Sequence, residues 1–321
     1  MNLQERLELI QRNTAEIITL PEMRALLERK KKPRVYCGYE PSGPMHVGHF
    51  VTCTKLLDLE KAGFETVVLL ADWHAWLNKK GSWEDIWNTA KTYEKAMKGL
   101  GLKNTEFVLG TSFERKAEYM DDVLTLALNT TLNRGLRSMQ EVARDIENAT
   151  VSQAVYPLMQ IADMKHLKLD AAEAGLEQRK IHMLGRESFH HIDYQKVAYV
   201  HTPLITALTG PGNKMSSSKP ETMISVLDGE EEIMKKLNKA YCPEGISIEN
   251  PVLQLCQLLV FPHQETLNVK RSAKFGGDKT FHSYAEVEQA FVKKELHPAD
   301  LKNAVALALS QILEPARKAF K

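Results

Sequence analysis

Apolar residues recur at helical spacing over residues 3–13 and again over 21–32. The second stretch has proline in its first turn and ends in Arg29-Lys30-Lys31-Lys32, a composition that suits a solvated helix C-terminus. The pattern then changes. Residues 34–39 are short and β-prone, a Gly/Pro turn follows, residues 46–61 are amphipathic, and residues 67–71 are apolar at every position. A strand, a helix and a second strand with no polar face predict a parallel sheet covered on both sides. The alternation continues with a helix over 83–100 and a strand over 106–109.

From there the strand signals thin out. Residues 115–148, 151–167 and 176–191 read as helical, before a short strand at 198–201 and a loop at Gly210-Pro211-Gly212-Asn213. Beyond Glu230 only helical periodicity is legible, notably over 251–260, 284–292 and 298–320. The expectation is an α/β, Rossmann-like domain with a parallel sheet over residues 1–229, interrupted by a helical insertion near 111–148. A smaller all-helical domain over 230–321 follows.

Composition narrows the class. With 321 residues the chain can bury a sizeable core in two domains. Lysine plus arginine number 42 against 41 aspartate plus glutamate, a net charge of +1, which excludes binding of nucleic acid by bulk charge but not by a local surface. Cys37, Cys53, Cys242 and Cys256 form no C-x-x-C pair, so neither a zinc knuckle nor a disulfide framework is expected. A charged N-terminus and the lack of a long apolar run predict a cytoplasmic protein without a membrane span.

Two motifs carry candidate chemistry. Glu40-Pro41-Ser42-Gly43-Pro44-Met45-His46-Val47-Gly48-His49 lies between the first strand and its helix, where open α/β sheets bind ligands. Ser42 reads as the helix N-cap and Pro44 as a first-turn residue. His46 and His49 share one helical face and can reach the same phosphate, and Gly48 offers bare backbone to a flat base. Lys214-Met215-Ser216-Ser217-Ser218-Lys219, after the Gly/Pro loop, supplies a mobile cation and a run of hydroxyls. Each motif alone has a bland reading, as packed histidines and as a serine linker. Together H-x-G-H and K-M-S-S-S resemble the two signature motifs of class I aminoacyl-tRNA synthetases.

That resemblance implies attack of an amino-acid carboxylate on the α-phosphate of ATP. The nucleophile is already ionised, so alignment and charge stabilisation are what the barrier requires. His46, His49, Lys214, Ser217 and Ser218 are the implied catalytic residues, and Ser42, Gly43, Gly48 and Met215 complete the implied ATP site. Mg²⁺ is expected with the phosphates, with no dedicated protein site. The commonest family pattern has a second lysine where this chain has Ser218, so Mg²⁺ or Lys219 is expected to share that charge.

Tyr156, Gln160 and Asp163 are spaced i, i+4, i+7 on one helical stripe among Met159, Ile161 and Met164, where an aspartate is costly unless partnered. A satisfied core network and a ligand pocket both fit that stripe. With Gln178-Arg179-Lys180 and Tyr36, these residues are similar to the tyrosine-binding set of archaeal and eukaryotic tyrosyl-tRNA synthetases, a similarity spanning nearly the whole chain. It implies that Tyr36 and Asp163 bind the phenolic hydroxyl while Tyr156, Gln160 and Gln178 hold the α-amino end. Tryptophanyl-tRNA synthetases, which share both motifs in variant form, and small-molecule nucleotidylyltransferases, which use H-x-G-H, are the rival enzyme classes. A synthetase-derived RNA-binding module is the non-enzymatic rival, and it predicts broken ATP motifs.

The resemblance also implies tRNA(Tyr) as partner, with Arg179 and Lys180 near its acceptor end and Phe275, His297 and Asp300 receiving an anticodon base by stacking and hydrogen bonds. The insertion near 111–148 is expected to carry a homodimer interface. Asp72-Trp73-His74 and His190-His191 have no third ligand at suitable spacing, so no metal site is expected, although His74 at a strand end can border the pocket. Trp73, Trp76, Trp83 and Trp87 read as packing residues.

Overall fold

In the computed structural model, residues 1–142, 148–217 and 219–321 are described, with the side chain of Phe275 outside that description. They fall into two compact units. The first comprises Met1–Ser42, Lys55–Glu94 and Leu102–Pro203, the second Gly43–Thr54, Lys95–Gly101 and Leu204–Lys321.

The first unit is built on a six-stranded sheet of β1 (Glu16–Ile18), β2 (Arg34–Tyr39), β3 (Glu65–Leu70), β4 (Glu106–Leu109), β5 (Ala171–Gly175) and β6 (Ala198–Thr202). Their order is β1-β6-β5-β2-β3-β4, parallel throughout except for β1, which pairs antiparallel to β6 at one edge. From β2 the chain builds outward through β3 to β4, and β5 and β6 are added on the other side of β2. The strand order therefore reverses between β2 and β5, the place where an open sheet leaves a crevice at its strand C-termini.

β3 reads as apolar because its last five residues are all buried. β5 was not legible from its sequence: Ala171-Ala172-Glu173-Ala174-Gly175 has little β propensity. Its placement between β2 and β6 overrides that weakness, and Ala172, paired with Tyr36, leaves room for the larger ring. The helix Val151–His166 buries Tyr156 to Met159 and Ile161 to Met164, and helices Ala117–Leu128 and Arg179–Ser188 pack against it. The helical stretches expected over 115–148 are two helices that part after Leu128; Thr131 caps the second, Leu132–Ser138, by accepting the Arg134 N–H at 3.3 Å. Residues 143–147 of that stretch lie outside the described residues.

The second unit corrects the all-helical expectation for residues 230–321. Its helices, chiefly Glu230–Lys239, Tyr284–Val292 and Pro298–Lys318, are joined by an antiparallel pair, β7 (Leu267–Val269) and β8 (Lys279–Phe281). These strands are three residues each, too short for a period-2 pattern to stand out. Pro298–Lys318 packs on Glu230–Lys239 and β7, and its Leu301, Val305, Leu309 and Leu313 are fully buried. Gly99 sits against it so closely that a β-carbon would fall 2.8 Å from Ala316 Cα, which excludes any larger residue there.

Candidate active site

The H-x-G-H segment belongs to the second unit and starts the helix Val47–Lys61. Ser42 is not the N-cap expected, because the helix begins five residues later. Residues 43–46 are not helical: Gly43 bends the chain, His46 is bridged to Ser225 and the Val47 N–H is donated to Ile224. His46 takes the capping role instead: its Nδ1 accepts the Gly48 N–H at 3.1 Å, and its own backbone N–H donates to His49 Nδ1 at 3.2 Å. With both Nδ1 atoms accepting, the proton of each ring sits on Nε2.

The two rings lie 4.0 Å apart. Burial, His49 and Lys214 push His46 down to about 2, and burial pushes His49 down to about 4, so both imidazoles are neutral near pH 7. Gly48 is required by geometry, since a β-carbon there would lie 2.7 Å from His46 Cε1.

The K-M-S-S-S segment lies in the same unit. The Thr206–Lys214 bridge and the Met215 N–H bond to Ile205 anchor its start, Met215 is buried, and Lys214 stays exposed. Gly43, at φ +72°, approaches Ser217 so closely that a β-carbon would stand 3.1 Å from Ser217 Cβ. The fold thus brings the two motifs together at Gly43–Ser217 and His46–Lys214. Ser218 lies outside the described residues. Neutral imidazole N–H groups, hydroxyls and an ammonium form a donor set for phosphate oxygens; hard divalent cations prefer carboxylates.

The first unit holds the other cluster, at the C-terminal end of its sheet. Tyr36 on β2 and Asp163 on the helix Val151–His166 are both buried. Tyr36 shares a hydrogen bond with Gln160, whose Nε2 donates to Gln178 Oε1 at 3.4 Å. Tyr156 hydrogen-bonds Glu40, which also accepts from Asn78 Nδ2 at 3.0 Å and pairs with Lys80 at 3.3 Å. All five residues of the stripe and its partners therefore share one neighbourhood.

Three residues there were not anticipated: Glu40, Glu114 and Tyr119. The Tyr119 hydroxyl lies 2.8 Å from Asp163 Oδ1 and 2.9 Å from the Met159 carbonyl. His74 stands edge-on to Tyr156 at 4.7 Å, with Nδ1 3.2 Å from Glu114 and Nε2 3.5 Å from Asp163. The absence of a third acidic or histidine partner at suitable spacing along the chain does not leave His74 alone: its carboxylate neighbours come from two other elements, which spacing does not reveal. The legible signal was position, because Glu40, His74 and Glu114 all follow C-terminal strand ends.

Burial disfavours the charge of His74, but Asp163 and Glu114 hold its pKa up at about 9. Burial and the neighbouring Glu114 push the Asp163 carboxyl well up, against the pull of His74 and Tyr119. Asp72 is structural: it accepts from Trp87 Nε1 at 3.1 Å and from the Thr111 N–H and hydroxyl at 2.9 and 2.6 Å, fixing the turn that leads to Glu114. Trp76, Trp83 and Trp87 pack on one another as expected.

The remaining sequence-predicted residues are dispersed. Arg179 donates to Glu16 at 2.6 Å and Lys180 pairs with Glu141 at 2.9 Å, both at the surface. His297 is the N-cap of Pro298–Lys318, its Nδ1 accepting the Ala299 N–H at 3.2 Å, and Asp300 sits in that helix's first turn. The Phe275 side chain lies outside the described residues.

Comparison with known proteins decides between the rival readings. The family model described as tRNA synthetases class I (W and Y) matches residues 28–314. A tyrosine–tRNA ligase of Methanosarcina barkeri is 50% identical over 316 residues, 98% of this chain and 99% of that one. The crystal structure of the tyrosyl-tRNA synthetase of Archaeoglobus fulgidus, complexed with L-tyrosine, superposes with a TM-score of 0.96 at 48% identity, covering 100% of both chains. The chain belongs to the archaeal-type class I tyrosyl-tRNA synthetases. The tyrosyl-tRNA synthetase of Aeropyrum pernix is similar too, with a TM-score of 0.91 at 37% identity over 99% of this chain and 95% of that one. Tyrosine–tRNA ligation is the activity, and the tryptophanyl and nucleotidylyltransferase alternatives are set aside.

Proposed function

We propose that the chain activates L-tyrosine with ATP to tyrosyl-adenylate and pyrophosphate and then passes the tyrosyl group to the 3′ end of tRNA(Tyr). The single observation that carries the choice of amino acid is Asp163, a buried carboxylate beside Tyr36. A phenolic hydroxyl satisfies Asp163 Oδ2 and adds a partner for Tyr36, whereas phenylalanine leaves Oδ2 without a donor and Tyr36 with Gln160 alone. Rejection on that basis reaches on the order of 10⁴ to 10⁵, a figure general to tyrosyl-tRNA synthetases rather than one deduced from this chain. Tyr156, Gln160 and Gln178 then hold the α-amino end.

His46 and His49 donate from Nε2 to the phosphate that is attacked, stabilising its added charge with no proton transfer. Lys214, Ser217 and Ser218 hold the β- and γ-phosphates, with Ser42, Gly43, Gly48 and Met215 lining the nucleotide. Mg²⁺ bound with ATP would neutralise charge on the leaving pyrophosphate, beside Lys214 and the hydroxyls of Ser217 and Ser218.

For tRNA, the reading places the acceptor end at Arg179 and Lys180 and the first anticodon base at Phe275, His297 and Asp300. Phe275→Ala is expected to weaken charging and spare adenylation; equal loss of both steps would contradict this. The reading includes a homodimer. Leu128 and Val151, 88% and 81% exposed, support it, with Leu124 and Leu132 also exposed nearby in sequence. Light scattering at micromolar concentration tests it, and a strict monomer overturns it. A cytoplasmic site of action is in keeping with four buried cysteines that form no disulfide, and among the described residues no helix is long and apolar enough to cross a membrane.

Pyrophosphate exchange with each amino acid, with and without tRNA, tests the whole reading. Tyrosine alone is expected to support exchange without tRNA; exchange driven by tryptophan would overturn it.

A further inference from the structure

The fold places an unusual amount of charge behind Asp163. Glu114, His74 and Asp163 come from the turn after β4, the helix Asp72–Leu77 after β3 and the helix Val151–His166. All three are at most 2% exposed, and their ligating atoms lie within 4.8 Å of one another. One imidazole therefore stands between two buried carboxylates, at 3.2 and 3.5 Å. Neither contact is well aligned as a hydrogen bond, and among the described residues Asp163 Oδ2 and both Glu114 oxygens make no other well-aligned one; the two carboxyl groups also face each other, and Glu114 pushes the Asp163 carboxyl up. The other polar groups facing this trio are Tyr119, Tyr36 and Tyr156, with Glu40, paired with Lys80 at 3.3 Å, adding its own pull on the His74 proton.

We infer that His74, oriented by Glu114, is a positioning residue for tyrosine selection: its imidazolium keeps Asp163 a carboxylate, and so an acceptor for the substrate hydroxyl. The inference rests on the reading that Asp163 and Tyr36 meet that hydroxyl, and adds what makes an ionised aspartate tenable there. A buried carboxylate without a counter-charge takes up a proton rather than remaining ionised. A protonated Asp163 donates as readily as it accepts, and the preference for a hydroxyl-bearing ring declines. Glu114 supplies the second negative charge that holds the proton on His74, whose pKa stands at about 9.

The test is the ratio of kcat/KM for tyrosine to that for phenylalanine in pyrophosphate exchange, measured from pH 6 to 9.5 for the full-length protein and for His74→Gln, Glu114→Gln and Asp163→Asn. In the unsubstituted protein the ratio holds to pH 8 and falls as pH passes about 9. In His74→Gln it drops by about tenfold or more at pH 7, the value of a hydrogen bond to a charged group, and recovers as pH rises and Asp163 ionises. In Glu114→Gln the alkaline fall moves to lower pH by about one unit, the effect expected on removing a neighbouring charge. Because the substrate phenol itself titrates near pH ~10, that displacement is the diagnostic.

A ratio unchanged across pH in His74→Gln, with both substrates slowed equally, would mean a merely structural role and overturn the inference. If His74→Gln does not fold, an alkaline fall that Glu114→Gln leaves in place overturns it equally. Asp163→Asn separates the two layers: a wild-type ratio there refutes the phenol reading itself, whereas a collapsed ratio there with an unaffected His74→Gln refutes only the role of His74.

Discussion

The hydroxyl of Tyr119 lies 2.8 Å from Asp163 Oδ1, in a position fully removed from solvent. One of the two acceptor atoms of Asp163 is thereby held by the protein, and the carboxylate plane is set. Tyr119→Phe removes that bond and leaves Oδ1 unpaired, which costs about 1–3 kcal/mol in a buried site. We expect KM for tyrosine to rise about tenfold with kcat little changed, because the loss lies in binding rather than in phosphate chemistry. Steady-state exchange kinetics check this; a fall confined to kcat would contradict it.

His46 and His49 are held neutral, at about 2 and about 4. Exchange activity is therefore expected to show no titration of these imidazoles between pH 5 and 8. His46→Ala should reduce kcat by about 10²- to 10³-fold, the usual loss on removing one donor from a developing oxyanion, with KM for tyrosine preserved. A pH profile with an inflection near 6.5 that disappears in His46→Ala would show instead that the ring works as a titrating group.

Gly48 is bound to the same geometry. Alanine there must displace the His46 ring, because its β-carbon would lie 2.7 Å from Cε1. Overpacking of this kind costs about 1–3 kcal/mol, so Gly48→Ala should lower kcat by about tenfold or more. Tyrosine affinity by equilibrium dialysis should stay unchanged; a parallel loss of tyrosine binding would count against this assignment.

Glu173, buried on β5, is pushed up to about 8 by burial, against the pull of Cys37, Lys55 and Thr202. Between its unfolded value of 4.5 and about 8 the folded chain holds a proton that the unfolded chain releases. Stability from this group is thus complete at acid pH and is lost as pH rises through about 8, falling by about 1.4 kcal/mol for each pH unit across that window. Glu173→Gln should flatten the decline in melting temperature between pH 5 and 9. An equally steep decline in the variant would exclude Glu173 as its source.

How much of this was legible before the fold was known varied with the kind of signal. β2 and β4 fell at the expected residues, since a short β-prone run bounded by turns has few alternatives. β5 did not, because alanine and glycine become a strand only through their neighbours β2 and β6. Tyr156, Gln160 and Asp163 were readable as one stripe, for helical periodicity survives in the chain itself. Glu114 and Tyr119 were not: what makes them matter is the burial of a charge by three separate elements. Ser42 was misplaced because a proline-containing turn looks like a helix start, while the backbone stays non-helical as far as His46, which pairs with Ser225.

The central claim is that the tyrosine hydroxyl is read by Asp163 with Tyr36. It is tested most directly by comparing kcat/KM for tyrosine and phenylalanine in pyrophosphate exchange between the unsubstituted protein and Asp163→Ala. The account predicts that the tyrosine preference falls by at least about tenfold, mainly through loss of tyrosine activation. An unchanged ratio in a folded Asp163→Ala protein would contradict it.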